Sequence, residues 1–90
     1  MPRGNGVESL MTKIDYEKVI SNYREALRAL YGNEIADESN LYYSHGWCYV
    51  SIARRCPDGS YYTPSIADGK RAKLIVEMTQ SLLNRVKIKQ

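Results

Sequence analysis

The chain of 90 residues has the length of one small domain and can bury only one modest hydrophobic core. Its content of 43% hydrophobic and 26% charged residues is that of a globular protein and excludes wholesale disorder, collagen and a coiled coil. No apolar run approaches the roughly 18–20 residues that cross a bilayer, and the first residues lack the apolar region of a secretory signal. We therefore expect a cytoplasmic protein with a flexible leader (residues 1–11) and a single α+β domain (residues 12–90).

The net charge of +3 is unevenly distributed along the chain. Residues 1–40 carry five Lys/Arg against seven Asp/Glu, a net charge of −2, whereas residues 41–90 carry eight against three, a net charge of +5. This asymmetry predicts that an acidic partner would contact the C-terminal half.

A helix is predicted from Asp15 to Tyr31, because apolar residues recur there at helical spacing. Asp15 has the chemistry of an N-cap, and Gly32 that of a left-handed C-cap. Residues 33–40 then read as an acidic connector.

The middle of the chain has the residue types of β-strands. Residues 47–55 are rich in aromatic and β-branched side chains and predict the clearest strand. Residues 41–43 predict an optional short strand before it, with residues 44–46 as the turn between the two.

A second hairpin turn is predicted at Pro57-Asp58-Gly59, which has the pattern of a type I turn followed by a left-handed glycine. Residues 60–66 then return as a strand. Pro64 has no N–H to donate, so this strand should lie at a sheet edge.

The last helix is predicted to start near Asp68, or a few residues earlier if Ser65 and Asp68 form a capping box. Its expected buried stripe is Ala72, Ile75, Met78, Thr79, Leu82, Leu83 and Val86. The predicted fold class is therefore α+β: a small two-layer domain of helix, antiparallel β-hairpin with two or three strands, and helix. Both helices should cover one face of the sheet.

If Cys56 and Ser60 close the second turn, strand alternation assigns every hairpin residue to a face. The side expected under the helices carries Cys48, Val50, Ile52, Arg54, Tyr62 and Ile66. The side expected in solvent carries Trp47, Tyr49, Ser51, Ala53, Arg55, Tyr61 and Thr63. A shift of one residue in register would exchange the two sets.

The predicted partner-binding residues are Trp47, Tyr49, Arg55 and Tyr61, on the solvent side of that hairpin. Aromatic and arginine side chains offer large, fairly rigid contact areas and are enriched at binding hot spots. Cross-strand aromatic pairs also stabilise exposed sheets that bind nothing, so stabilisation of the hairpin is the alternative role for these four residues.

A second candidate is the basic cluster Lys70, Arg71 and Lys73, expected in the first turn of the last helix. Cations there oppose the helix dipole, an arrangement that an anion-binding site would tolerate. The alternative is an ordinary solvated helix face, with Lys73 and Glu77 as an i,i+4 ion pair.

The residue types needed for catalysis or metal binding are sparse. His45 is the single histidine, and an extended chain would separate Cys48 from Cys56 by roughly 26 Å, too far for a disulfide or a shared metal. Phosphate loops and hydrolase or zinc-protease motifs are absent. We predict a protein that is not an enzyme, with no cofactor, no metal and no small-molecule substrate.

With the optional strand counted, the α-β-β-β-α order and the stretch Gly69-Lys70-Arg71-Ala72-Lys73 resemble the double-stranded RNA-binding domain. The resemblance implies phosphate contacts by Lys70, Arg71 and Lys73. The chain lacks that family's Gly-Pro-x-His loop, its glycine-alternating third strand and its alanine-rich last helix, so we do not assign it to the family.

The resulting hypothesis is a non-enzymatic interaction module, or a small regulatory or accessory protein. It would bind a protein partner, or a second copy of itself, through the aromatic sheet face. Nucleic-acid binding through the basic cluster is the alternative, and membrane association is not expected.

Overall fold

A computed structural model of the chain describes residues 14–66 and 68–89, so the predicted leader (residues 1–11) lies outside the described residues. The elements in chain order are α1 (Tyr16–Tyr31), α2 (Asn33–Glu38), β1 (Asn40–Ser44), β2 (Trp47–Ser51), β3 (Arg54–Arg55), β4 (Tyr61–Tyr62) and α3 (Ala72–Lys89). The strands form two antiparallel pairs, β1–β2 and β3–β4, which confirms the α+β class. Across these two ranges, no helix is long and apolar enough to cross a membrane.

Helix α1 begins and ends as its capping residues predict. The Asp15 carboxylate accepts a hydrogen bond from the Lys18 backbone N–H at 3.0 Å, and the chain leaves the helix at Gly32 with a φ of 100°. The Gly32 N–H still donates to the Arg28 carbonyl at 3.0 Å, which closes the last turn.

The predicted acidic connector is instead largely helical, as α2. Two arginines of α1 hold it: the Arg24 guanidinium donates to the carbonyls of Ala36 and Ser39, and the Arg28 guanidinium lies 3.0 Å from the Asp37 carboxylate. These contacts join residues nine or more positions apart in sequence, so local sequence periodicity does not reveal this helix.

The hydrophobic core lies between the helix pair and one face of the β1–β2 sheet. Its four largest fully buried side chains are Tyr23 and Leu27 of α1, Ile75 of α3 and Cys48 of β2. Both helices contact this sheet face, as predicted. Leu83, expected in the buried stripe of α3, is instead exposed on the flank of the helix.

The β1–β2 hairpin confirms the optional strand. His45 and Gly46 both have positive φ values (51° and 82°), which is the two-residue turn that matches the twist of antiparallel strands. On the helix side of the sheet, Leu41 is buried and the Tyr43 ring stacks on Tyr16 with centroids 5.6 Å apart.

The predicted long strand over residues 47–55 is wrong beyond Ser51, where the chain leaves the sheet. The Ser51 hydroxyl donates to the Pro64 carbonyl at 2.6 Å, and the Ala53 N–H donates to the Ser39 hydroxyl at 2.9 Å. These bonds draw the segment inward, so Ser51 and Ala53, expected in solvent, are buried.

The β3–β4 hairpin has the predicted register but only two residues in each strand. Arg54 pairs with Tyr62 and Arg55 with Tyr61, and Gly59 has a φ of 92° at the end of the loop. The predicted strand over residues 60–66 is therefore too long. Tyr62, assigned to the core, is 53% exposed, because this small sheet is separate from the one that packs under the helices.

Helix α3 begins at Ala72, and not near Asp68 or Ser65. Lys70 lies in extended backbone beside β2: the Cys48 N–H donates to the Lys70 carbonyl at 2.8 Å, and the Lys70 N–H donates to the Cys48 carbonyl at 2.7 Å. Both backbone groups of Lys70 are thus used in sheet pairing. The first turn of α3 comes directly after this pairing: the Arg71 carbonyl accepts hydrogen bonds from the backbone N–H groups of Leu74 and Ile75.

Candidate partner-binding surface

Three aromatic side chains share the side of the β1–β2 sheet that faces away from the helices. Tyr42 of β1 lies directly opposite Tyr49 of β2, and their rings stack with centroids 4.8 Å apart and an interplanar angle of 14°. Trp47 lies two residues before Tyr49 and so on the same side. Strand alternation, which sends Leu41 and Cys48 into the core, turns these three rings outward.

Arg71 joins this group from the segment that precedes α3. Its guanidinium carbon lies 4.1 Å from the centroid of the Trp47 ring, within the range of a cation–π contact. We call Tyr42, Trp47, Tyr49 and Arg71 the aromatic face.

Gly69 allows this close approach. A Cβ atom at that position would lie 2.8 Å from the Trp47 Cβ and 3.1 Å from two ring atoms of Tyr49. Real Cβ atoms do not approach other atoms at 2.8 Å. The glycine therefore lets the backbone lie against the two rings and brings Arg71 over the indole.

The aromatic face is accessible and carries positive charge. Tyr42 is 44% exposed, Trp47 is 37% exposed, Tyr49 is half-buried and Arg71 is exposed. Its four residues include no carboxylate. A partner surface with acidic and apolar groups would complement it in both charge and hydrophobicity.

The predicted contact residues are divided between two sheets. Trp47 and Tyr49 lie together on the aromatic face, whereas Arg55 and Tyr61 face each other across the separate β3–β4 hairpin. Tyr42 was missing from the predicted set. The turn at His45-Gly46 could have indicated this residue, because a two-residue loop there places Tyr42 opposite Tyr49.

The three predicted basic residues do not form one row at a helix start. Lys70 is half-buried in extended backbone, Arg71 lies over Trp47, and Lys73 alone is exposed within the first turn of α3. The structure thus joins one member of the basic cluster, Arg71, to one member of the predicted aromatic set, Trp47.

The described part of the chain contains two cysteines and one histidine. Both cysteines are free thiols, and burial raises the pKa of the Cys48 thiol above its ordinary value of 9.0. The His45 Nδ1 lies 2.9 Å from the Ser44 hydroxyl, in the exposed turn. Over residues 14–66 and 68–89, no three His, Cys, Asp or Glu side chains come together as a metal-binding group.

Comparisons with protein-family models, with curated proteins and with solved structures give no significant match to this chain.

Proposed function

We propose that this protein is a non-enzymatic interaction module that binds an acidic surface of a protein partner through its aromatic face. The observation that carries the proposal is the grouping of three outward-facing aromatic rings and an arginine on a sheet whose other side is covered by helices. Tyrosine, tryptophan and arginine are the residue types that dominate binding hot spots. A cytoplasmic location belongs to the proposal, and two free cysteines suit a reducing compartment.

The positive charge of the aromatic face fits a different, acidic protein better than it fits a second copy of this chain. In a symmetric dimer the aromatic face of one copy would contact the aromatic face of the other. Arg71 would then lie opposite residues that include no carboxylate. An acidic partner removes that mismatch, and the net charge of +5 over residues 41–90, which include the whole aromatic face, would attract it.

Nucleic-acid binding is the second candidate, and the arrangement of the cations favours it less. Phosphate recognition would benefit if Lys70, Arg71 and Lys73 all pointed toward one nucleic-acid backbone. Instead, Lys70 is in extended backbone, Arg71 lies over Trp47 and Lys73 is in α3. The observation in favour of nucleic acid is the open aromatic sheet, since such surfaces can stack unpaired bases.

Photo-crosslinking from two matched tyrosine positions tests the proposal. A benzoylphenylalanine replaces either Tyr42, which is 44% exposed in β1, or Tyr62, which is 53% exposed in β4. Irradiation in cells of the native host should yield a discrete cross-linked protein from position 42. Position 62 should not yield the same product.

Three results would overturn the proposal. The first is the same product from both positions, and the second is a cross-linked dimer of the chain as the sole product at position 42. The third is a cross-link to RNA or DNA, with an affinity that falls steeply as salt increases, which would support the nucleic-acid alternative.

A further inference from the structure

A cavity of about 520 Å³ lies on the opposite side of the sheet from the aromatic face. Its apolar wall includes Val50 of β2, Ile52 just after that strand and Met78 of α3. All three side chains are half-buried. The volume lies within the range of about 300–1,000 Å³ that is typical of small-molecule sites.

Tyr23 of α1 adds a buried polar group to this wall. The residue is only 2% exposed, and its hydroxyl has no hydrogen-bond partner in the part of the chain that the structure describes. An unpaired buried hydroxyl is unfavourable unless a ligand or water satisfies it. Burial, with a smaller contribution from Tyr31, raises the pKa of Tyr23 above its ordinary value of 10.0, so the hydroxyl remains protonated and can donate.

Two cations line the same cavity, and none of its lining residues in the described ranges is acidic. Neither Arg54 nor Lys70 forms an ion pair within residues 14–66 and 68–89. The paired backbones of Lys70 and Cys48 place the Lys70 side chain on the same side of the sheet as the buried thiol. Its ammonium group is thereby held on the cavity side, away from the aromatic face.

We infer that this cavity binds a small organic carboxylate with an apolar body. The apolar part would lie against Val50, Ile52 and Met78. The carboxylate would pair with Lys70 and Arg54 and accept a hydrogen bond from the Tyr23 hydroxyl, since charge-assisted bonds are the strong ones. This site shares no residue with the aromatic face, so its test is independent of the proposed partner binding.

Calorimetric titration of the full chain with octanoate and with 1-octanol tests the inference. The two probes share an apolar body and differ in the carboxylate. Octanoate should bind at least tenfold more tightly than octanol, because only octanoate can pair with the two cations. Equal affinities, or no binding of octanoate, would overturn the inference.

Variants then locate the site. Lys70→Gln should weaken octanoate binding about tenfold and Arg54→Gln, at an exposed position, about threefold. Lys18→Gln removes the same charge from the exposed face of α1, outside the cavity, and should leave the affinity unchanged. If Lys18→Gln weakened octanoate binding as much as Lys70→Gln does, the protein would attract octanoate through its overall charge and not at this cavity, which would contradict the inference.

Tyr23→Phe tests whether the Tyr23 hydroxyl binds the ligand or stabilises the fold. The variant should bind octanoate about fivefold more weakly, while its thermal unfolding midpoint without octanoate stays equal to or above that of the wild type, because an unpaired buried hydroxyl has been removed. Unchanged octanoate affinity, or a lower unfolding midpoint, would count against the assigned role.

Discussion

The two hairpins of this protein share a glycine with positive φ in the turn and have very different surroundings. Each turn ends at a glycine with positive φ: Gly46 between β1 and β2, and Gly59 between β3 and β4. The β1–β2 pair covers five residues per strand and packs one face under two helices. The β3–β4 pair covers two residues per strand and leaves Tyr62 53% exposed.

This difference shows that turn chemistry predicts a hairpin but does not decide whether it becomes part of the core. The β1–β2 pair places alternate residues against α1 and α3, so its two faces become chemically distinct. The third backbone segment, around Lys70, then pairs with β2 and brings Arg71 to the outer face. The β3–β4 pair lacks such neighbours and contacts chiefly the short helix α2.

The largest expected effect is on stability and comes from shortening a buried β1 side chain. Leu41 is 8% exposed within the core cluster, so Leu41→Ala should lower the free energy of unfolding by about 2–5 kcal/mol. Tyr62→Ala in β4 should change it by less than about 0.5 kcal/mol. Urea denaturation of the two variants measures both values, and equal losses would mean that the two hairpins contribute alike.

An intermediate effect is expected from adding a methyl group at Gly69. The new Cβ would collide with Trp47 and Tyr49, so Gly69→Ala should cost about 1–3 kcal/mol. Gly59→Ala, which has open space but a positive φ, should cost about 1–2 kcal/mol for its backbone conformation alone.

Tryptophan fluorescence distinguishes these two glycine variants, because Trp47 is the single tryptophan of the chain. Gly69→Ala should shift its emission, since the methyl group displaces the indole or Arg71. Gly59→Ala should leave the emission of the folded protein unchanged. A shift in both variants would show that the hairpins are coupled more closely than their packing indicates.

The smallest effect should come from the exposed loop of the β3–β4 hairpin. The Ser60 hydroxyl and backbone N–H donate to the Asp58 carboxylate at 2.6 and 3.0 Å and lower the pKa of Asp58 below its ordinary value of 3.8. A lowered folded-state pKa stabilises the fold above pH 3.8, and this contribution is lost as the pH falls through the folded-state value.

Asp58→Asn should therefore lower the thermal unfolding midpoint slightly at pH 7, with the difference from wild type fading below pH 3.8. Differential scanning calorimetry from pH 3 to pH 7 measures it. A difference that grew as the pH fell would contradict the sign of the pKa shift.

Local sequence signals predict much of this fold. The caps at Asp15 and Gly32 predict α1, and Pro57-Asp58-Gly59 predicts the register of the β3–β4 hairpin. These features depend on neighbours within a few residues. The continuous strand over residues 47–55 was wrong because side-chain hydrogen bonds to distant residues, Ser51 to Pro64 and Ala53 to Ser39, end it.

The candidate site could be predicted only in part for the same reason. Trp47 and Tyr49 follow from strand alternation, and Tyr42 could have been found from the turn at His45-Gly46. The position of Arg71 over Trp47 depends on the pairing of Lys70 with Cys48, which joins segments far apart in sequence. No periodicity within either segment indicates that contact.

The most direct test of the central claim is the dissociation constant for the partner captured by cross-linking, measured with Trp47→Ala and with Tyr62→Ala. A hot-spot residue contributes about 2 kcal/mol or more, so Trp47→Ala should raise the dissociation constant at least about thirtyfold. Tyr62→Ala, on the exposed β3–β4 hairpin, should change it less than about twofold. Similar dissociation constants for the two variants would contradict the assignment of binding to the aromatic face.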